Sequence, residues 1–163
     1  MVYSFFIFVI RYWLFVIRGA LVWLLIYFWA FNQHVSIMSI RSFTDLDSYK
    51  QCRSLRKNIA QLVKNCFPAE EKFRLSDQII RSSRCVTACI AEGYGRFHYK
   101  ENAQYCRMAR GSLQETLEHL ITAYDESYIT GENLKSFKIQ IDACITCLNG
   151  YIAYLLKTQK SKE

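Results

Sequence analysis

Apolar residues recur every three or four positions in four long segments between Asp45 and Leu156, and this periodicity limits the possible folds more than any other feature of the chain. Such spacing is typical of helices that bury one face, whereas half-buried strands alternate apolar and polar residues. The first predicted helix runs from Leu46 to Cys66 and ends before Pro68, since proline disfavours helix at the residue ahead of it. Four such helices joined by short loops predict an all-α fold, an up-down-up-down antiparallel four-helix bundle.

The other three helices have recognisable ends. Ser76 is expected to be the N-cap of the second helix, which stops at Gly93-Tyr94-Gly95 because glycine readily adopts the left-handed conformation that ends helices. The third helix runs from about Tyr99 to Ser127 and contains Gly111, where we expect close backbone approach by a neighbouring helix. Thr130 or Gly131 opens the fourth, which fades into a polar tail. The residues predicted to face inward include Cys66 on the first helix and, on the third, Tyr105, Ala109, Leu113, Leu117, Leu120 and Tyr124.

Residues 1–37 form a separate apolar N-terminal segment, and residues 38–163 form the bundle. The apolar segment holds all three tryptophans and only two charged residues, Arg11 and Arg18. Its longest run free of charged and polar residues, Gly19–Phe31, is shorter than the roughly 20 residues that a membrane span needs. Three interpretations stay open: a transmembrane anchor with the bundle in the cytoplasm, a start site mis-assigned ahead of Met38, or an interaction helix.

The seven cysteines are an odd number scattered through helical segments. A secreted disulfide scaffold would be small, loop-rich and even in cysteine count, so free buried thiols in a reducing cytoplasm are the better interpretation. Cys144 and Cys147 have a C-x-x-C spacing, but the pair lies inside a predicted helix with no second pair. We therefore expect small core residues there and no redox site.

The sequence predicts neither a catalytic activity nor a bound metal or cofactor. Glu115 and His119 are four residues apart on one helix face, close enough to share a metal, but no second copy of the pair exists. A solvated helix face is the better interpretation. No nucleophile motif, phosphate-binding glycine loop or zinc-protease motif is present, so we expect a protein that is not an enzyme.

The bundle is basic, with 19 of the 21 Lys and Arg against all 14 Asp and Glu. Several cations are expected on the second and third helices and their connection, where Tyr94, Phe97 and Tyr99 interleave with them. Antiparallel neighbours would gather these cations into a phosphate-binding patch. The candidate RNA-binding residues are Arg74, Arg81, Arg84, Arg96, Lys100, Arg107 and Arg110. The alternative is that these side chains pair with Glu92, Glu101 or Glu115 and only solvate the bundle.

Three segments between Phe43 and Leu156 resemble a known family: Gln78-Ile-Ile-Arg-Ser-Ser83, Ile90-Ala-Glu-Gly-Tyr-Gly-Arg96 and Ala109-Arg-Gly-Ser-Leu-Gln-Glu115. In these segments the chain resembles the bacterial four-helix-bundle proteins named for the 23S rRNA intervening sequence, also called S23-type proteins. The residues that carry the signature are Glu92, Gly93, Tyr94, Gly95, Arg96, Gly111 and Ser112. Cys89 departs from the pattern, which usually has asparagine there.

The resemblance implies a bundle that assembles into a homo-oligomeric ring, commonly a homopentamer. It also implies a partner, because a related bundle engages RNA and a reverse transcriptase through a basic ring surface. We therefore expect a cytoplasmic, non-enzymatic ring protein that binds RNA or a ribonucleoprotein through an arginine-rich face. The alternative is a membrane-anchored assembly module, with membrane contact only if residues 1–31 insert.

Overall fold

A computed structural model describes residues 40–161, which contain four long α-helices and no strand. The helices are α1 (Asp47–Cys66), α2 (Leu75–Gly95), α3 (Tyr99–Asp125) and α4 (Gly131–Lys160). Each helix packs against the next along the chain, and α4 returns to pack against α1. The predicted all-α bundle is confirmed, whereas the predictions for residues 1–37 fall outside the described residues.

The core is built from the apolar stripes of all four helices. The side chains of Ile59, Ile79, Leu113 and Ile141, one from each helix, are fully buried. The buried hydroxyls of Thr116 and Ser82 lie 2.9 Å apart and hydrogen-bond α3 to α2. Because buried polar groups are costly unless they are paired, this bond fixes the register of two apolar faces that could otherwise slide.

The start of α2 differs from the prediction. Ser76 is not an N-cap, because α2 begins one residue earlier, at Leu75, and Ser76 is buried inside the helix. A short 3₁₀ helix, Ala69–Phe73, precedes α2, and its Glu71 carboxylate accepts a hydrogen bond of 3.1 Å from the Leu75 backbone N–H. An acidic side chain four residues upstream thus takes the place of the predicted serine cap. The start of α4 agrees with the prediction, since Thr130 accepts a hydrogen bond from the Asn133 N–H.

The end of α2 lies at Gly95 as predicted, but for another reason. None of the described glycines has a positive φ, and the left-handed residue in the connection to α3 is Phe97, at φ 59°. Left-handed backbone is unfavourable for a bulky residue, so the chain turns at a strained position and not at a permissive one.

The glycine of close approach is also a different one. Gly111 has no other group within 4 Å of where a Cβ would be, so no neighbouring helix approaches there. A Cβ on Gly93 would lie 2.7 Å from Tyr105 Cβ and 3.0 Å from Asn102 Oδ1. The α2 and α3 backbones therefore approach each other at Gly93.

Three residues predicted to face inward lie elsewhere. Cys66 is exposed at the end of α1, Tyr124 is 45% exposed, and Tyr105 is only half-buried. On α3 the fully buried stripe contains smaller side chains, among them Ala103 and Cys106. Small residues occupy these positions because α3 packs closely against both of its neighbouring helices, which leaves no room for a tyrosine side chain.

Among the described residues, α4 is the one helix long and apolar enough to cross a membrane, with a mean hydropathy of 1.3 over its most apolar part. Length and composition are weak evidence, because a helix at the centre of a bundle meets the same criteria. Here α4 contributes Phe137, Ile141, Leu148 and Leu155 to the core.

Candidate nucleic-acid interface

Two adjoining grooves run along α1, and together they are lined by five Lys or Arg side chains. The larger, of about 640 Å³, lies between α1 and α2, and the smaller, of about 520 Å³, follows α1. Tyr49 and Lys57 line both. We call the two together the basic groove; its cations are Lys50, Arg53, Arg56, Lys57 and Arg84.

The cations of α1 line up because of their spacing. Lys50, Arg53 and Lys57 follow one another at intervals of three and four residues, which places them on one face of a helix. All three are exposed and lie on the opposite side of α1 from the buried stripe of Cys52, Leu55 and Ile59. Lys50 and Arg53 therefore line the smaller groove on the outer side of α1, and Lys57 lines both grooves.

Arg56 is held in place within the groove. Its Nη1 donates a hydrogen bond of 2.8 Å to Thr87 Oγ1 on α2, and the Thr87 hydroxyl donates to the Arg84 carbonyl oxygen at 3.1 Å. Thr87 is buried and Arg56 half-buried, so the hydroxyl fixes one end of the guanidinium. A cation fixed before its ligand arrives loses less conformational freedom on binding.

The charge of the groove is largely uncompensated. None of the described residues that line it is acidic. Lys50 lies 3.5 Å from Asp47, whose side chain is 84% exposed, and such an exposed pair is weak. Arg53, Lys57 and Arg84 make no ion pair with another described residue. The groove is thus suited to an anionic ligand whose charges repeat along its length.

Small and aromatic side chains also line the larger groove. Ala60, Ala88 and Ala91 are among its lining residues, as are Phe43 and Tyr49, whose rings pack with centroids 4.9 Å apart at 82°. The small side chains let a ligand approach the helix backbones.

The residues singled out from sequence do not all lie together. Arg84 lines the basic groove, whereas Arg81, only three residues earlier, lies 3.7 Å from Asp77 and lines a separate groove with Glu115 and His119. Arg74 lies 3.8 Å from Glu71 at the other connection. The RNA-binding role of these residues stays a prediction.

The remaining candidates are on or near α3. Arg110 donates to Asn149 Oδ1 on α4 at 2.8 Å, and Arg107 donates to Gln104 Oε1 at 3.3 Å. Lys100 lies in the first turn of α3. These contacts spread the seven cations over more than one face of the bundle.

Arg96 belongs to a polar network that joins α2 to α3. Its Nη2 donates to Glu92 Oε1 at 2.7 Å and to the Tyr105 hydroxyl at 2.8 Å. The hydrogen bond from Arg96 lowers the pKa of Glu92, which stays ionised. Together with the close approach at Gly93, this network assigns most of the Glu92–Arg96 signature to closing the connection between two helices.

The other signature residues also make local contacts. The Tyr94 hydroxyl lies 3.5 Å from the Ile40 carbonyl oxygen, to which it donates, and the Ser112 carbonyl oxygen accepts from Thr116 Oγ1 at 2.7 Å. Gly95, like Gly111, has open space where its Cβ would be.

Sequence reasoning missed the α1 half of the basic groove. Lys50, Arg53, Arg56 and Lys57 lie within eight residues at helical spacing, so the signal was present in the sequence. Helical periodicity shows that Lys50, Arg53 and Lys57 share a face, but it does not show that the face borders a groove.

The cysteines are all free, and four of them are buried. A hydrogen bond with the Cys144 thiol and burial raise the pKa of Cys52 well above its ordinary value. Burial raises the pKa of Cys106 to about 12 and, with the nearby Cys85 thiol, that of Cys89 to about 11. These thiols stay protonated at neutral pH, which makes them poor nucleophiles.

His119 Nε2 lies 3.8 Å from Glu115 Oε1, and the described residues contain no group of three His, Cys, Asp or Glu placed to hold a metal ion. The pair is therefore a local contact between neighbouring turns of α3.

Comparison with known proteins gives a matching family and a similar solved structure. The model of a family described as 23S rRNA-intervening sequence protein matches residues 44–150. A 1.70 Å crystal structure of a protein of unknown function, from the S23 ribosomal protein family of Bacteroides thetaiotaomicron, is similar with a TM-score of 0.60 at 22% identity. The match covers 65% of this chain and 95% of that one, and at this identity it supports the fold alone. No curated protein matches the sequence.

Proposed function

The chain belongs to the 23S rRNA-intervening sequence protein family, and from this premise we propose that it is a non-enzymatic, oligomeric bundle protein that binds RNA through the basic groove. The observation that supports this most directly is the row of five cations with no acidic residue among the groove-lining residues. RNA presents phosphates at regular spacing, and cations fixed along a helix complement them without reading sequence.

Salt dependence tests the proposal. The association constant K falls as salt rises, and each phosphate contact adds about 0.7 to the steepness of log K against log salt for single-stranded nucleic acid. The full chain should therefore give a slope of roughly −2 to −4. Arg53→Ala and Lys57→Ala should each make that slope shallower by about 0.7 and weaken binding at low salt. Lys135→Ala is the matched control, because it removes the same charge from α4, outside the groove.

Fluorescence anisotropy of a labelled RNA, titrated at several salt concentrations, gives both affinity and slope. A folded chain with no salt-dependent binding would overturn the proposal. If Lys135→Ala and Lys57→Ala lose equal affinity for RNA, the groove is not the binding site and the protein binds RNA through its net charge. Arg81→Ala and Arg107→Ala then test whether the cations outside the groove contribute.

We also propose a homo-oligomer, with the homopentamer implied by the family resemblance as the specific expectation. Ile121 on α3 and Ile139 on α4 are exposed apolar side chains that a subunit contact would cover. A ring would repeat the basic groove once per subunit and raise the avidity for one RNA or ribonucleoprotein. Native mass spectrometry decides, since a monomer or a dimer contradicts the expectation.

In this proposal the protein is cytoplasmic, and its partner is an RNA or a ribonucleoprotein such as a reverse-transcriptase complex. The membrane-anchored alternative depends on residues 1–31, whose apolar sequence contains two charges. Cell fractionation with mass spectrometry of the N-terminus separates the two: recovery only in the soluble fraction with a start at Met38 eliminates the anchor.

A further inference from the structure

A further cavity, of about 340 Å³, lies at the end of the bundle where α2 connects to α3 and where α4 passes the connection. Five of the ten residues that line it are aromatic: Tyr94, Phe97, Tyr99, Tyr151 and Tyr154. None of the lining residues is acidic, and none is Lys or Arg. We call this cavity the aromatic pocket. Its volume is at the lower end of the range for small-molecule sites, which suits one planar ring system.

The rings on α4 are arranged for stacking. The Tyr151 and Tyr154 rings are nearly parallel, with 14° between their planes and 6.4 Å between centroids, and Tyr154 is 58% exposed. Asn102 Nδ2 donates to the Tyr151 hydroxyl at 3.1 Å, and Asn102 itself is buried. The hydrogen bond from Asn102 therefore fixes the Tyr151 ring, while one side of the Tyr154 ring is exposed to solvent.

Phe97 adds an aromatic ring that the bundle does not need. It is 91% exposed and has a left-handed backbone at φ 59°. Unfavourable backbone that places a bulky apolar ring in water contributes nothing to the core, and such positions cluster at ligand clamps. A ligand that covers the Phe97 ring would offset the cost of this backbone conformation and of the exposed apolar side chain.

The aromatic pocket and the basic groove are both lined by residues of α2. Ala91 lines the groove and Tyr94 lines the pocket, and three helical residues separate them by about 4.5 Å along the axis. Arg84 and Tyr94 are about 15 Å apart along the same helix, a distance that a few nucleotides span. Phosphates in the groove would therefore bring the next bases to the pocket.

We propose that the aromatic pocket binds one unpaired nucleobase of the RNA whose phosphates lie in the basic groove. The inference rests on the proposed RNA binding and deepens it, because it makes the ligand single-stranded at this point. Unpaired bases stack on aromatic side chains, whereas bases in a duplex are already stacked and paired. The pocket favours no particular base by charge, so stacking and size determine what enters.

The test uses the full chain and a short RNA in which one base is 2-aminopurine, offered single-stranded and as a duplex. Stacking quenches 2-aminopurine, so binding of the single strand should lower its fluorescence. Tyr154→Ala should weaken single-strand binding about 5- to 100-fold, the range for loss of one base–aromatic stack, and leave duplex binding unchanged. Tyr154→Phe keeps the ring and should behave as wild type.

Two controls keep the result interpretable. Tyr124→Ala removes an exposed tyrosine from the far end of α3 and should change neither affinity. Phe97→Ala is a second pocket variant whose side chain is almost fully exposed, so its folding is not at risk if Tyr154→Ala misfolds. Circular dichroism melting of each variant checks the fold.

The outcomes separate the two proposals. Groove variants that lose single-strand and duplex binding together, with pocket variants that lose quenching and single-strand binding but keep duplex binding, support both. Duplex and single strand bound equally by wild type, without quenching, overturns the base pocket and leaves the groove. If wild type quenches the single strand and Lys57→Ala quenches it equally, the result supports the pocket and overturns the groove. No binding of either RNA overturns both.

Discussion

The Arg56 guanidinium of α1 donates a 2.8 Å hydrogen bond to the buried hydroxyl of Thr87 on α2. This contact joins two helices across the basic groove and orients one of the cations that the groove presents. It couples the packing of the bundle to the proposed binding site, because the hydroxyl that fixes Arg56 is itself anchored to the backbone of Arg84.

Thr87→Val keeps the shape of the side chain and removes the acceptor for Arg56. We expect RNA binding to weaken by a few-fold, because the guanidinium must then be ordered by the ligand. Stability should fall by only about 0.5–1.5 kcal/mol, since half-buried Arg56 can bond to water instead. Thr146→Val, which removes a similar hydroxyl from an exposed position of α4, is the control and should leave binding unchanged. Equal affinity of wild type and Thr87→Val would refute the positioning role.

Gly93→Ala tests the close approach of α2 and α3. The added Cβ would lie 2.7 Å from Tyr105 Cβ and 3.2 Å from the Asn102 carbonyl oxygen, so the helices must move apart. We expect a destabilisation of about 1–3 kcal/mol in urea unfolding. Gly111→Ala, in open space within α3, should stabilise by up to about 1 kcal/mol because alanine is the better helix former. The same sign for both substitutions would contradict this account of Gly93.

Periodicity predicted the helices well because burial of one face dictates it. Leu113 is fully buried at a position that the pattern selected, and Ile59 and Ile79 are fully buried within the predicted first and second helices. The details that failed depend on the space between helices: close approach lies at Gly93 and not Gly111, and Glu71 caps α2 from a separate 3₁₀ helix. A single sequence carries no information on such distances.

The candidate sites were predicted less completely than the fold. Arg84 was selected, but its partners Arg53 and Lys57 in the basic groove were not, since a charged helix face looks the same whether or not it borders a groove. The aromatic pocket combines Tyr94 and Tyr99 with Tyr151 and Tyr154, which lie some fifty residues later. Only the antiparallel packing of α4 brings these two sets together.

Glu92 gives the α2–α3 connection a defined pH dependence. The hydrogen bond from Arg96 lowers the pKa of Glu92 below its ordinary value of 4.5, so the ionised carboxylate stabilises the fold above that pH. This contribution is lost as the pH falls through the lowered pKa. We expect wild type to melt at a higher temperature than Glu92→Gln at pH 7, with the difference vanishing in strong acid. Glu118→Gln, on the exposed surface of α3, controls for general charge; a difference independent of pH would contradict the prediction.

The thiols should divide into two classes of reactivity. Cys66 and Cys85 are exposed, and we expect them to react first with an aromatic disulfide reagent in the native protein. At pH 8 the Cys89 thiol, with its pKa raised to about 11, is ionised in about one molecule in a thousand, and Cys106, at about 12, in fewer. Cys66→Ser should remove one fast equivalent, whereas Cys106→Ala should remove none. All seven cysteines should react after unfolding in guanidinium chloride. Fast labelling of Cys106 in the folded protein would contradict its burial.

Phe97→Gly separates backbone strain from ring contact at the aromatic pocket. Glycine adopts the left-handed conformation of residue 97 freely, so the strain of φ 59° is released. That strain costs about 1–3 kcal/mol, of which the greater flexibility of glycine in the unfolded chain offsets about 0.5–1 kcal/mol. We expect a net gain of about 1 kcal/mol in stability, seen as a rise of a few degrees in the melting temperature.

Ser127→Gly, at φ 63° in the next connection, should give a comparable gain in stability without changing the binding of single-stranded RNA. Phe97→Ala should lose the ring contact without the gain in stability. A Phe97→Gly variant that melts lower than wild type would show that Phe97 stabilises the connection, and one that binds single-stranded RNA as wild type does would remove Phe97 from the pocket.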